Sequence, residues 1–86
     1  MTDFKLQVYT QEKKIYDDDV SSIVVPGLEG YFGVLSNHAP LLTALGRGKL
    51  TVRKAGAEKV YEVAGGFIEV RDNVATILAD RLTEAA

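Results

Sequence analysis

The chain has 86 residues, 47% hydrophobic and 26% charged, with ten Lys and Arg against twelve Asp and Glu and a formal net charge of −2. One small domain with one core is expected at this length. Scattered, outnumbered cations exclude a sequence-independent nucleic-acid binder, which needs a basic face, and the absence of cysteine excludes disulfides, thiol nucleophiles and zinc–thiolate sites and fits a reducing compartment.

The opening MTDFKLQVYT lacks the basic and long apolar stretches of a secretory signal. Instead Phe4, Leu6 and Val8 alternate with Lys5, Gln7 and Tyr9, the period-two pattern of a half-buried strand. Asp17-Asp18-Asp19 comes next. Consecutive aspartates on an extended chain point to opposite faces in turn and do not converge on a cation. They read as a solvated turn or a sheet edge, where like charge discourages edge-to-edge pairing.

Gly27, Gly30 and Gly33 form G-x-x-G-x-x-G. This is not the dinucleotide-binding G-x-G-x-x-G, and no helix follows it. Leu28 and Glu29 between the first two glycines exclude an RNA-clamping loop, which needs basic residues. The glycines read as permission for tight turns. The apolar residues among them, Leu28, Tyr31 and Phe32, need a different account. Loops face solvent, so they either plug one end of the core or mark a surface that another protein covers.

SNHAPLLTAL, residues 36–45, holds the lone histidine. Ser36-Asn37 with Pro40 could start a helix, but Gly46-Arg47-Gly48 would stop it within two turns. A turn over Ser36–Pro40 followed by a buried strand is the preferred reading. His38 has no Ser, Cys or paired carboxylate near it in sequence to build a triad, and one histidine without cysteine cannot assemble a nitrogen- or sulfur-rich metal site. It reads as a turn residue or a surface contact, and Pro40, Leu41 and Leu42 extend the apolar surface beside it. Gly48-Lys49 resembles the end of a phosphate loop, but Leu50 stands where Ser or Thr is required.

Leu50 and Val52 alternate with Lys49, Thr51 and Arg53. Further apolar runs contain Val60 and Val63, then Phe67 and Val70, then Val74, Ala75, Ile77 and Leu78. Turns are expected at Lys54–Glu58, Gly65-Gly66 and Asp72-Asn73, where Gly, Asn and Asp tolerate positive φ. The tail over 79–86 has the composition of a helix start. No apolar run approaches the ~18–20 residues that cross a bilayer. The sum is an all-β unit over residues 1–86, an antiparallel sandwich or barrel, soluble and not secreted by the usual route.

Two longer segments carry a family resemblance. The run Pro26-Gly27-Leu28-Glu29-Gly30-Tyr31-Phe32-Gly33-Val34-Leu35, continuing as Asn37-His38-Ala39-Pro40-Leu41-Leu42-Thr43-Ala44-Leu45, and the later GGFIEV with NVATILAD, resemble the epsilon subunits of F-type ATP synthases, called delta in mitochondria. The resemblance covers nearly the whole chain. It implies a flattened antiparallel β-sandwich of about ten short strands and a non-catalytic rotor role without cofactor or metal. It also implies docking on the gamma subunit and on the polar loops of the c-ring, coupling ion-driven rotation to ATP synthesis. Membrane association would come only through the complex, on the cytoplasmic face of a bacterial membrane or its equivalent. Residue by residue, Gly27, Leu28, Glu29, Gly30, Tyr31 and Phe32 match the segment that meets the c-ring. Thr10, His38, Ala39, Pro40, Leu41, Leu42 and Thr43 match positions on the gamma side. The family's C-terminal helical hairpin would begin near Ala86.

Two other function classes find less support. An oligonucleotide- or ligand-binding barrel would cluster basic and aromatic residues on one face, and the four Tyr and three Phe have no basic cluster around them. An enzyme would need a catalytic group set that the sequence does not offer.

Overall fold

The computed structural model describes residues 3–85. Its elements are β1 (Phe4–Tyr9), β2 (Lys14–Val20), β3 (Ser22–Gly27), β4 (Gly30–Leu35), β5 (Leu41–Lys54), β6 (Ala57–Arg71) and β7 (Val74–Glu84). They form one seven-stranded sheet in the order β2-β1-β7-β6-β5-β3-β4. The all-β class holds, with two differences from the sequence expectation. There are seven strands rather than about ten, and β1 runs parallel to β7 while every other pair is antiparallel.

The lower strand count has a physical cause in the three long strands. Along β6 the buried positions are Tyr61 and Val63, then Ile68 and Val70. The inward parity changes from odd to even across Gly65-Gly66. The same switch occurs in β5, from Leu45 to Leu50 and Val52, and in β7, from Ala75, Ile77 and Ala79 to the half-buried Leu82. A strand keeps one face inward only while its pleat is regular. Each long strand therefore bends where it passes from one layer of the sandwich to the other, and splitting these three strands at their bends restores about ten short segments.

Gly65-Gly66 is thus not the hairpin turn expected from the sequence but the bend in β6. Its φ angles are +81° and +124°, open to glycine at little cost. A Cβ on Gly66 would collide with the carbonyl oxygen of Leu78 on β7. The other two turns are as expected: Ala55-Gly56 and Asp72-Asn73 both have positive φ at both residues, the type I′ geometry that matches the twist of a hairpin. The tail, expected to start a helix over 79–86, continues as strand through Glu84. Its pairing with β6, from Arg71↔Val74 to Tyr61↔Glu84, overrides the weak helix propensity of a short alanine-rich stretch.

The bends fold the sheet onto itself. β2 lies at one end of the strand order yet reaches β5 and β6: the Lys54 ammonium pairs with the Asp18 carboxylate, and Tyr16 meets Tyr61 edge-on at 6.5 Å. The enclosed core is apolar, built from Leu6, Val8, Val20, Ile23, Val25, Leu50, Ile68 and Ile77 with their neighbours. No charged or polar residue among the described ones is buried. Each large aliphatic side chain so buried contributes about 1.5–3 kcal/mol. The body measures 31 × 27 × 24 Å, only mildly flattened.

The Asp17–Asp19 run sits on β2, an edge strand, as its charge suggests. Asp17 accepts from the Lys14 and Lys5 ammonium groups at 2.9 and 3.2 Å, which holds its carboxyl below the usual aspartate range, Lys14 contributing most. The Lys54 partner does the same for Asp18, helped by the Asp19 backbone N–H. The three carboxylates are accounted for by lysines and solvent.

Candidate partner-docking surface

The β3–β4 hairpin and the turn before β5 meet at one end of the sandwich. Gly27, Leu28, Glu29, Gly30, Tyr31 and Phe32 line a cleft of about 560 Å³ together with His38, Leu41 and Thr43. Two segments separated in sequence are thereby brought to one place. Gly27 is required there, because a Cβ would lie 2.8 Å from the Gly30 carbonyl oxygen and 3.0 Å from the Phe32 ring. Leu28 and Tyr31 remain 69% and 59% exposed, while Phe32 packs against the core. Of the two readings of this loop, Phe32 plugs the end of the core and Leu28 and Tyr31 do not.

Tyr31 is held by a backbone vacancy. The β3–β5 ladder loses register between Val24 and Gly27, next to Pro26, which has no N–H to donate. The Lys49 N–H donates instead to the Tyr31 hydroxyl at 3.0 Å. The ring is fixed on β5 and still faces outward.

The turn carrying His38 is braced from β7's hairpin. Asn73 Oδ1 accepts the Asn37 N–H at 2.7 Å and lies 3.5 Å from Ser36 Oγ, and Asn73 Nδ2 donates to the Asp3 carbonyl at 3.1 Å. Asn37 itself has φ +63°, a left-handed conformation that asparagine tolerates. His38 donates its backbone N–H to Leu35. Its Nδ1 lies 2.7 Å from the Ala39 carbonyl oxygen. A carbonyl only accepts, so Nδ1 carries the proton. The imidazole therefore closes its own turn, at the edge of the loop cleft. Ala39 and Pro40 in the turn are exposed, and the strand after it is buried only from Leu45 onward: Leu41 and Thr43 are half-buried and Leu42 is 70% exposed.

Leu42 belongs to a larger apolar surface that the sequence reading missed. Cross-strand register places Tyr9 opposite Leu78, Leu78 opposite Phe67, and Phe67 opposite Ala44. Leu42 is the diagonal neighbour of Phe67. Phe67 and Leu78 are 56% and 54% exposed. The exposed members, Leu42, Phe67 and Leu78, sit on three neighbouring strands, with the half-buried Tyr9 and Ala44 beside them, an adjacency that scattered surface hydrophobics lack. The signal was present in the spacing: Phe67 and Val70 are three apart, so they cannot share a face of a regular strand.

Thr10 stands apart from the loop cleft, in the β1–β2 turn, where its N–H donates to the Lys13 carbonyl at 2.9 Å and its hydroxyl accepts the Glu12 N–H at 3.4 Å. It follows Tyr9, the other end of the apolar row. Thr10 and Thr43 thus flank the row that runs Tyr9–Leu78–Phe67–Ala44. Among the described residues no group of three His, Cys, Asp or Glu side chains is arranged to hold a metal ion.

Residues 3–85 match the model of the family described as ATP synthase, Delta/Epsilon chain, beta-sandwich domain. The chain belongs to this family. It is 50% identical over 76 residues to the ATP synthase epsilon chain of Leptospira interrogans, covering 88% of this chain and 60% of that protein. It is 40% identical over 86 residues to the ATP synthase epsilon chain of Caulobacter vibrioides, covering all of both. The fold also superposes, with TM-score 0.91 and 28% identity, on a chain in the OSCP/F1/c-ring structure of the Euglena gracilis mitochondrial ATP synthase, covering 98% of this chain and 54% of that one. The chain thus spans about 60% of the length of the Leptospira epsilon chain and the full length of the Caulobacter one.

Proposed function

We propose that this delta/epsilon-family chain is a non-catalytic rotor part of an ATP synthase, docked on the gamma subunit and on the c-ring and coupling ion-driven rotation to ATP synthesis. In this reading the loop Gly27–Phe32 meets the polar loops of the c-ring through Leu28 and Tyr31. His38, Ala39, Pro40, Leu41, Leu42 and Thr43, with Thr10 on the far flank, meet gamma. The apolar row of Leu42, Phe67 and Leu78 supplies the anchors on that side. The chain reaches a membrane only through the complex, on the cytoplasmic face of a bacterial membrane or the equivalent face of another energy-transducing membrane.

The observation that carries the reading is the exposure of large apolar side chains, Leu42, Phe67 and Leu78, on three neighbouring strands, in a protein whose relatives are ATP synthase epsilon chains. Apolar anchors with a polar rim are what a protein partner covers. A stiff, close-packed sandwich is also suited to transmitting torque without deforming. The test is co-purification. Tyr31→Ala and a Phe67→Ser/Leu78→Ser pair, introduced into the assembled complex, lower the yield of gamma and c-ring recovered with the chain and weaken ATP-driven proton pumping. Unchanged recovery and pumping for both variants would contradict the reading.

A further inference from the structure

The chain has ten Lys and Arg. Lys5, Lys14, Arg53, Lys54 and Lys59 are in ion pairs. The other five, Lys13, Arg47, Lys49, Arg71 and Arg81, have no ion pair and no side-chain hydrogen bond among the described residues. Three of these five, Arg47, Lys49 and Arg81, line a single cleft of about 390 Å³. In a protein of net charge −2 this concentration of uncompensated positive charge is the exception.

The strand register builds the cleft. Arg47 on β5 and Arg81 on β7 are both paired to Ala64 on β6, so two guanidinium groups stand on either side of one small residue. Adjacent strands are spaced at about 4.8 Å, which puts the two backbones about 10 Å apart. The next row is Lys49, Glu62 and Thr83. Tyr31 and Leu82 add apolar lining. One acid, Glu62, lines the cleft itself, opposite Lys49 in register, and Asp80 is next to Arg81 in sequence, so the cleft carries three cations against one carboxylate. Neither is within ion-pair distance of the three cations.

We propose that this cleft docks an extended acidic segment of a partner protein, with carboxylates on Arg47, Arg81 and Lys49 and an apolar side chain between them over Ala64 and Leu82. Charge complementarity selects the occupant. Arginine presents a planar fork suited to carboxylates, and the apolar lining favours a peptide carrying hydrophobic residues over a bare anion. The cleft shares Tyr31 with the loop cleft, but Arg47, Lys49 and Arg81 lie outside the surfaces proposed to meet c-ring and gamma, so loss of peptide binding on their substitution leaves that reading untouched.

The test uses the 86-residue chain and a fluorescent octapeptide of alternating glutamate and leucine. Fluorescence anisotropy should show saturable binding that weakens with added salt, because screening contracts to about 3 Å at 1 M. Arg47→Glu/Arg81→Glu should weaken it about tenfold or more, with Arg47→Ala/Arg81→Ala as the milder pair should charge reversal disturb folding. Lys13→Glu/Arg71→Glu, which removes the same charge elsewhere, should leave it within about twofold of wild type. Absence of binding, or equal losses in the cleft and control pairs, would overturn the proposal. So would displacement of the peptide by inorganic phosphate or ATP at equimolar concentration, which would make the cleft a small-anion site.

Discussion

The Tyr31 hydroxyl accepts the backbone N–H of Lys49 at 3.0 Å, filling a gap that Pro26 and a register shift leave between β3 and β5. A residue offered to a partner is therefore also part of the sheet's hydrogen-bond ladder. The two roles separate by substitution. Tyr31→Phe keeps the ring and orphans the donor. It should lower stability by about 0.5–1.5 kcal/mol in urea denaturation while preserving co-purification with c-ring. Tyr31→Ala should lose both.

The glycine pair in β6 gives a graded prediction. A Cβ on Gly65 would meet the Asp80 carboxylate at 2.7 Å, a movable group, whereas on Gly66 it would meet the backbone of Leu78 and Ala79, which cannot withdraw without breaking β6–β7 pairing. Gly65→Ala should cost about 1–2 kcal/mol for its left-handed backbone. Gly66→Ala should cost more than about 3 kcal/mol or prevent folding. Thermal melts of the two variants decide it, and equal costs would contradict the bend.

Asn73, at φ +63°, braces the His38 turn through two polar contacts, to Ser36 and Asn37, and ties it to Asp3 through a third. Asn73→Ala should destabilise by about 1–3 kcal/mol. Its local signature is faster hydrogen exchange at the Asn37 amide, read by NMR. Unaltered exchange there would show that the turn stands without the brace.

Acid stability follows from Asp17 and Asp18. Their folded carboxyl pKa values are held below the usual range by Lys14 and Lys54 respectively. A depressed folded pKa contributes stability that is present above the unfolded value, about 3.9, and is lost as pH falls through the folded one. The urea midpoint should therefore decline below about pH 4, and Asp17→Asn/Asp18→Asn should flatten that decline while lowering the midpoint near neutrality. Identical pH profiles would contradict the assignment. Both side chains face water, so the effect is modest.

How much of this was legible beforehand depends on what each feature needs. Phe4, Leu6 and Val8 announce their strand because a regular pleat repeats every two residues. Asp72-Asn73 announces its hairpin because few residues accept two positive φ angles in succession. Gly65-Gly66 has the same local chemistry as a turn, and only pairing with β5 and β7 reveals that the strand continues through it. The tail fails for a related reason: strand pairing with β6, invisible in the tail's own composition, outweighs its alanines. At the site, Leu28, Tyr31 and Leu42 could be named from loop position and the family motif. For Phe67 the sequence carried only the odd spacing to Val70, which says that the two face opposite ways but not which faces out, and Leu78 sits in a continuous apolar run that hides its face; the pairing across the Gly65-Gly66 bend decides both.

The central claim is that the outward row of Leu42, Phe67 and Leu78 is an anchor for the gamma subunit. The most direct measurement is titration calorimetry of the 86-residue chain against gamma from the same organism, comparing wild type with Phe67→Ser/Leu78→Ser. The account predicts affinity weakened by about tenfold or more, with circular dichroism and melting temperature essentially unchanged because neither side chain is in the core. Equal affinity for gamma in a folded double variant would contradict it.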